Sequence, residues 1–260
     1  MSDRAYNRPK LDAFRAGQVF VLERDATWLN ADKPRPFVLA TDCAPNLFGT
    51  LIYGSTQKTE RAASAACVEV LPRPFGVNAN GLRARTLFYP GVLLTTRHDL
   101  LPAHAGTLHA AMDDLRQGLR SALGIGAGTI MVPGAPAGSH RGRIVFLHPV
   151  LGVELRTRYA VLLTEHRYSS EKRYQVIVPI FRGDGVRADP DVVRVGRQPW
   201  FTVFPQPTST ALLAAPVVQS VWHGDDIVAE TAFVIDDDSL AALEERLCTI
   251  FEIEPPRISS

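Results

Sequence analysis

The residues best suited to chemistry lie in the first half of the chain, where cations, hydroxyls and an aromatic ring are spaced for work on an anion. Arg35 opens an apolar run, Arg35-Pro36-Phe37-Val38-Leu39. Ser55 and Thr56 close another, Thr50-Leu51-Ile52-Tyr53-Gly54-Ser55-Thr56, with Lys58 and Arg61 just beyond. A guanidinium carries a fixed charge and forked donors that match two phosphate oxygens. A hydroxyl adds a neutral donor to the same group. Each feature also has a plain structural use. Arg35 suits a surface cation before a strand, Ser55 and Thr56 suit a strand-end turn bonded to backbone, and Lys58 and Arg61 suit a solvated loop. Trp28, in Asp25-Ala26-Thr27-Trp28-Leu29-Asn30, offers a face for an unpaired base and serves equally as a lid over a core.

Other chemistries find less support. His98, His104 and His109 are six and five residues apart, which is not the spacing of a helical metal pair. His223-Gly224-Asp225-Asp226 has no second Cys or His at zinc-like spacing. The expectation is therefore no metal and no cofactor. Gly124-Ile125-Gly126-Ala127-Gly128 lacks the Lys-Ser/Thr of a phosphate-binding loop and reads as a helix stop. His98-Asp99 is a candidate proton shuttle for the first half. Cys43, Cys67 and Cys248 form no Cys-x-x-Cys pair and read as reduced, partly buried thiols of a cytosolic protein.

Charged residues make up 21% of the 260 and the net charge is +1. No apolar run reaches the roughly 18 residues of a membrane helix, and the first residues show no apolar secretion core, so a cytoplasmic protein without membrane contact is expected. The charge is uneven. Residues 1–126 carry 15 Lys/Arg and 11 Asp/Glu, whereas residues 127–260 carry 13 and 16. The first half is the better candidate for a polyanion.

The elements that must position these groups occur twice. Gly17-Gln18-Val19-Phe20-Val21-Leu22 returns as Gly142-Arg143-Ile144-Val145-Phe146-Leu147, Arg35-Pro36-Phe37-Val38-Leu39-Ala40-Thr41 as Arg158-Tyr159-Ala160-Val161-Leu162-Leu163-Thr164, and Thr50-Leu51-Ile52-Tyr53-Gly54-Ser55 as Gln175-Val176-Ile177-Val178-Pro179-Ile180, at offsets of 125, 123 and 125. Pro90-Gly91-Val92-Leu93-Leu94 is matched by Pro216-Val217-Val218-Gln219-Ser220. A period this long means a duplicated domain and not a solenoid. Each half then closes with a helical stripe: Leu108, Ala111, Met112, Leu115, Leu119 and Leu123 in the first, Leu240, Leu243, Leu247, Ile250 and Phe251 in the second. Asp236-Asp237-Asp238-Ser239 supplies capping acceptors for the latter. The pattern divides the chain into domains at 1–126 and 142–260, joined by a Gly/Pro/Ala-rich linker at 127–141. Short β-rich runs followed by a helix predict an α+β, mainly β domain on a small curved antiparallel barrel.

A Gly-Gln-Val-Phe or Gly-Arg-Ile-Val start, a loop, then Arg-Pro or Arg-Tyr-Ala entering an apolar strand, with Val176-Ile177-Val178-Pro179-Ile180 and Pro216-Val217-Val218-Gln219-Ser220 following, resembles the MazF/PemK toxin family of the CcdB/MazF superfamily. The resemblance covers residues 17–123 and 142–253. It implies two tandem SH3-like barrels, each with a C-terminal helix, docked as an intrachain pseudo-dimer. It further implies metal-independent cleavage of single-stranded RNA within a type II toxin–antitoxin system, with a small acidic antitoxin as partner. The family's catalytic Arg and Thr fall on Arg35 and Thr56, with Ser55 beside them, and on Arg158 and Phe181 in the second half. Phe181 cannot donate a hydrogen bond, so the second site reads as damaged, with Arg182 adjacent. Trp28, Lys33, Lys58, Arg61, Arg158 and Arg182 complete the expected RNA contacts. Gly54 departs from the family's Pro. A catalytically silent module on the same fold, binding RNA or a protein, is the alternative. A gyrase-directed toxin is disfavoured, because the chain ends Pro256-Arg257-Ile258-Ser259-Ser260 without the Trp-Gly-Ile tail of such proteins.

Overall fold

A computed structural model defines the fold. It describes residues 13–22, 34–43, 48–56, 67–73, 75–76, 78–126, 141–149, 157–167, 173–183, 192–195, 211–213, 217–222 and 227–255. These residues form an α+β, mainly β structure of antiparallel sheets. Strands β1 (Gln18–Leu22), β2 (Arg35–Leu39), β3 (Phe48–Ser55), β4 (Val68–Val70), β5 (Thr86–Arg97) and β6 (Gly106–Thr107) lie in the order β4-β5-β3-β2-β1-β6. Strands β7 (Arg143–Leu147), β8 (Tyr159–Arg167), β9 (Arg173–Arg182), β10 (Val193–Val195), β11 (Ala211–Leu213) and β13 (Ile227–Val234) lie in the order β10-β11-β9-β8-β7-β13, with β12 (Gln219–Trp222) also paired to β9. The orders coincide if long β5, broken by a register shift between Ile52 and Tyr53 of its partner β3, is set against β11 and β12 together.

Both helices follow from their apolar stripes. Helix α1 (Met112–Ala122) buries Met112, Leu115, Leu119 and Ala122. Helix α2 (Asp237–Phe251) buries Leu240, Leu243, Leu247, Cys248 and Phe251. The Asp236 carboxylate caps α2, accepting from the Ser239 N–H at 2.8 Å and from the Ser239 hydroxyl at 2.9 Å. The two helices stop in the same way. Gly124 and Glu252 turn left-handed at φ +65° and 52°. The next N–H reaches back across the final turn, Ile125 to the Arg120 carbonyl and Ile253 to that of Cys248. Gly118 sits in mid-helix because Pro90 of β5 packs there; an added Cβ would lie 2.5 Å from the Pro90 ring.

The halves share one core. Val38, Ile52, Phe88, Leu93, Leu115 and Leu119 belong to the same buried cluster as Ile144, Val161, Val178, Leu243, Leu247 and Phe251. Polar bonds fix the contact. The Ser220 hydroxyl of β12 donates to the Gly91 carbonyl and accepts the Leu93 N–H, both at 2.9 Å, and the Thr95 hydroxyl donates to the Val218 carbonyl. These bonds satisfy backbone groups where β5 departs from regular pairing.

Arg141 is the strongest tie. Residues 127–140 of the expected linker lie outside the described residues, but Arg141, its last residue, is a buried side chain of the core. Its Nη1 donates to the carbonyls of Leu123, at the end of α1, and of Leu163, in β8. Its Nη2 and Nε reach Glu244 Oε1 of α2 at 2.7 and 3.2 Å. Glu244 Oε2 accepts the Gly126 N–H at 3.0 Å, and the Thr164 hydroxyl donates to the Ala122 carbonyl at 2.6 Å. Burial pulls the Arg141 guanidinium down from its ordinary value, and Glu244 opposes that pull.

Removing one partner of a buried pair strands the other charge at a cost of about 3–5 kcal/mol. Glu244→Ala is therefore expected to lose about that much in urea unfolding. Arg15→Ala, which breaks an exposed pair with Asp42, should lose no more than about 1 kcal/mol.

Candidate functional site

Strand alternation places the candidate residues on one face. Residues directly opposed across an antiparallel ladder point to the same side of the sheet. Phe37 faces Tyr53, so continuing the register by two residues sets Arg35 opposite Ser55. Ser55 faces Leu87 and Leu87 faces Glu69; on the other side Arg35 faces Leu22. A cross-strand row thus runs Glu69, Leu87, Ser55, Arg35, Leu22 at one end of the first sheet. Beneath it lies an aromatic floor. Phe37 meets Tyr53 edge-on at 5.7 Å between ring centroids, and Tyr53 stacks on Tyr89 at 6.0 Å. Sequence reading missed this floor, although the period-two pattern of β2 and β3 already puts Phe37 and Tyr53 on the Arg35 face.

Arg35 is half-buried, and its Nε is buried with no hydrogen-bond partner among the described residues. An unmet buried donor costs about 1–3 kcal/mol. Ser55 is buried, whereas Thr56 is exposed beyond the end of β3. Gly54 has a packing reason: an added Cβ would lie 2.8 Å from the Phe88 ring and 2.9 Å from the Pro36 carbonyl oxygen. Glu69, at the edge, is paired with Arg85. Trp28, Lys33, Lys58 and Arg61 lie outside the described residues, as do His223, Gly224, Asp225 and Asp226.

The matching row in the second sheet has different chemistry. Arg194 faces Leu212 and Leu212 faces Phe181; extending the pairing of Tyr159 with Ile180 by one residue sets Arg158 opposite Phe181. Phe181 therefore stands where Ser55 stands in the first row, and exposed Arg182 where Thr56 stands. Setting the two strand orders against each other thus pairs Phe181 with Ser55, whereas the sequence match pairs it with Thr56. The row replaces a hydroxyl by phenyl and the edge acid by Arg194. Burial pushes the Tyr159 hydroxyl up, against the opposite effect of exposed Arg158 beside it.

The suggested His98-Asp99 shuttle is not part of either row. Phe48 faces Arg97 at the end of β5 remote from Leu87, and His98 follows Arg97 there. His98 is buried against the Phe14 ring at 4.6 Å between centroids. The Asp99 carboxylate accepts both Arg97 Nε and Nη2, at 3.0 and 2.7 Å. Among the described residues, no three His, Cys, Asp or Glu side chains cluster for a metal, and no helix is long and apolar enough to cross a membrane.

No family model matches the chain, and no curated protein matches it. The fold and site define an α+β protein of antiparallel sheets with a cation–hydroxyl row over an aromatic floor.

The apolar cluster of Phe37, Tyr53 and Tyr89 also holds a thiol, Cys43, beside Gly49 and Phe14 at the end remote from Arg35. Burial pushes Cys43 up to about 11 and also raises Cys248, where the Glu244 charge adds to the effect. A raised thiol pKa stabilises the fold at neutral pH, and that contribution is lost as pH climbs from about 9 towards about 11. An aromatic-disulfide thiol titration at neutral pH should label partly exposed Cys67 first, and Cys43 and Cys248 only on unfolding.

Proposed function

We propose that this chain is a tandem pair of MazF/PemK-like, SH3-like barrels joined as a pseudo-dimer, and that it cleaves single-stranded RNA without a metal, in the manner of a type II toxin. Several observations support the duplication. The strand orders coincide, and Val19 faces Val38 as Ile144 faces Val161. The helix ends share one motif. Grooves open between β4 and α1 and between β10 and α2 from like positions, with Val68, Glu69, Asp114 and Gln117 lining one and Val193, Arg194, Ala242 and Glu245 the other.

The observation that carries the activity is Arg35 opposite Ser55, with its half-buried guanidinium at the end of the sheet. In the proposed reaction the substrate 2′-OH attacks the adjacent phosphorus. Its proton departs, a ring closes on the phosphate, and the 5′-oxygen leaves and takes up a proton. Arg35 and Ser55 hold the phosphate oxygens whose charge grows in the crowded intermediate. Exposed Thr56 offers a further donor at the mouth. The second row, with Phe181 in place of Ser55, binds without cutting. A small acidic antitoxin is the expected protein partner. The silent-module alternative draws support from the departure at Gly54, which packing against Phe88 explains without reference to catalysis.

Removing a charge that acts on the developing intermediate costs roughly 3–4 kcal/mol, or 10²–10³ in rate. Arg35→Ala is expected to lose that much cleavage and Arg158→Ala far less; equal losses would mean a composite site. Incubation with RNA in EDTA should yield 2′,3′-cyclic phosphate and 5′-OH ends by mass spectrometry, and deoxyribose at the cut position should block it. A 5′-phosphate end, or inhibition by EDTA, would refute the chemistry. No cleavage of any RNA by the folded protein would select the silent module.

A further inference from the structure

The loop between β4 and β5 is pinned at its base and apolar at its tip. Asn80 is the clasp. Its side-chain oxygen accepts the N–H groups of Arg73 and Leu82 at 2.9 and 3.1 Å, and its amide donates to the Leu71 carbonyl at 2.9 Å. The Asn80 N–H returns to the Arg73 carbonyl at 2.8 Å. Gly81, at φ +70°, lies against Ala105 so closely that an added Cβ would be 2.4 Å from its carbonyl oxygen. Beyond this clasp Phe75 is 89% exposed and Leu71 63% exposed. A large aromatic held out beyond this clasp has no folding role, since it buries almost nothing.

Position and charge indicate what it meets. Val70 faces Thr86, so the loop leaves the sheet one residue beyond the row of Glu69, Leu87, Ser55 and Arg35. Arg73 and Arg83 are exposed and have no ion-pair partner among the described residues, while Arg85 is neutralised by Glu69. An exposed ring beside two exposed guanidinium groups matches a base and its flanking phosphates. An apolar protein surface would leave both cations to be desolvated without partners.

We infer that this loop is a second contact for single-stranded RNA, with Phe75 stacking on an unpaired base and Arg73 and Arg83 on adjacent phosphates, at the sheet edge that ends the Arg35 row. This rests on the RNA reading above. The test is fluorescence anisotropy with labelled 2′-O-methyl RNA, which binds but lacks the nucleophile. Phe75→Ala should weaken binding by about tenfold or more, the scale of one lost base stack, and Phe75→Trp should restore it. Arg73→Ala with Arg83→Ala should lower the salt slope by about 1.4, the value for two phosphates on a single strand. Normal affinity in Phe75→Ala, with wild-type binding intact, overturns this inference alone. Absence of wild-type binding overturns the RNA reading and this inference with it.

Discussion

The buried guanidinium of Arg141 is the constraint on which the arrangement of the molecule depends. One side chain collects the carbonyl at the end of α1, a carbonyl of β8 and the carboxylate of Glu244 on α2. A charge with that little solvent is tolerable only if every donor has a partner. The end of α1, the middle of α2 and strand β8 of the second sheet must therefore meet at one point. Gly124 follows from the same requirement, because a Cβ there would lie 2.6 Å from Arg141 Nη1. With the helices fixed, the shared apolar core and the bonds of Ser220 hold β5 against β12. The first-sheet end that carries Arg35 and Ser55 is joined to this frame through the pairing of β3 with β2 and β5.

That placement on paired strands suits the proposed chemistry. A donor that stabilises a developing charge works best when already in place, because no reorganisation is needed as the charge appears. Arg35 sits on a strand over stacked Tyr53 and Tyr89, and the Asn80 clasp ties Leu71, Arg73 and Leu82 at the base of the loop that follows the row. The two sheet ends differ by side chains on a common frame: Ser55 against Phe181, and Glu69 against Arg194. Such a pair can divide labour, one end acting on the phosphate and the other only gripping the strand.

Much of the local structure was legible in the residues. The β-rich runs at Val19, Phe37, Thr50, Ile144, Tyr159 and Val176 are strands, the stripes at Leu115 and Leu243 are helix faces, and Asp236 caps α2 as its type suggests. Packing and register were not legible. Arg141 follows a Gly/Pro-rich run and looks like a linker cation until Glu244, 103 positions away, closes on it. The position of Phe181 opposite Arg158 comes from the pairing of Tyr159 with Ile180, which a match of short apolar runs does not show. A one-residue slip turns every side chain to the other face. Gly54 was read as a departure in the site, whereas the Phe88 ring dictates it. Asn80 and Phe75 drew no notice, because a Pro/Gly-rich loop shows neither a clasp nor an exposed tip in its composition.

The central claim is that the end of the first sheet is the nucleic-acid site. The most direct measurement is amide chemical-shift mapping with a short 2′-O-methyl RNA, which cannot be cut at its modified positions. Shifts centred on Arg35, Ser55, Thr56 and Leu87, stronger than those at Arg158, Phe181 and Leu212, are the predicted result. Shifts confined to the second-sheet row, or absent from both at saturating RNA, would contradict it.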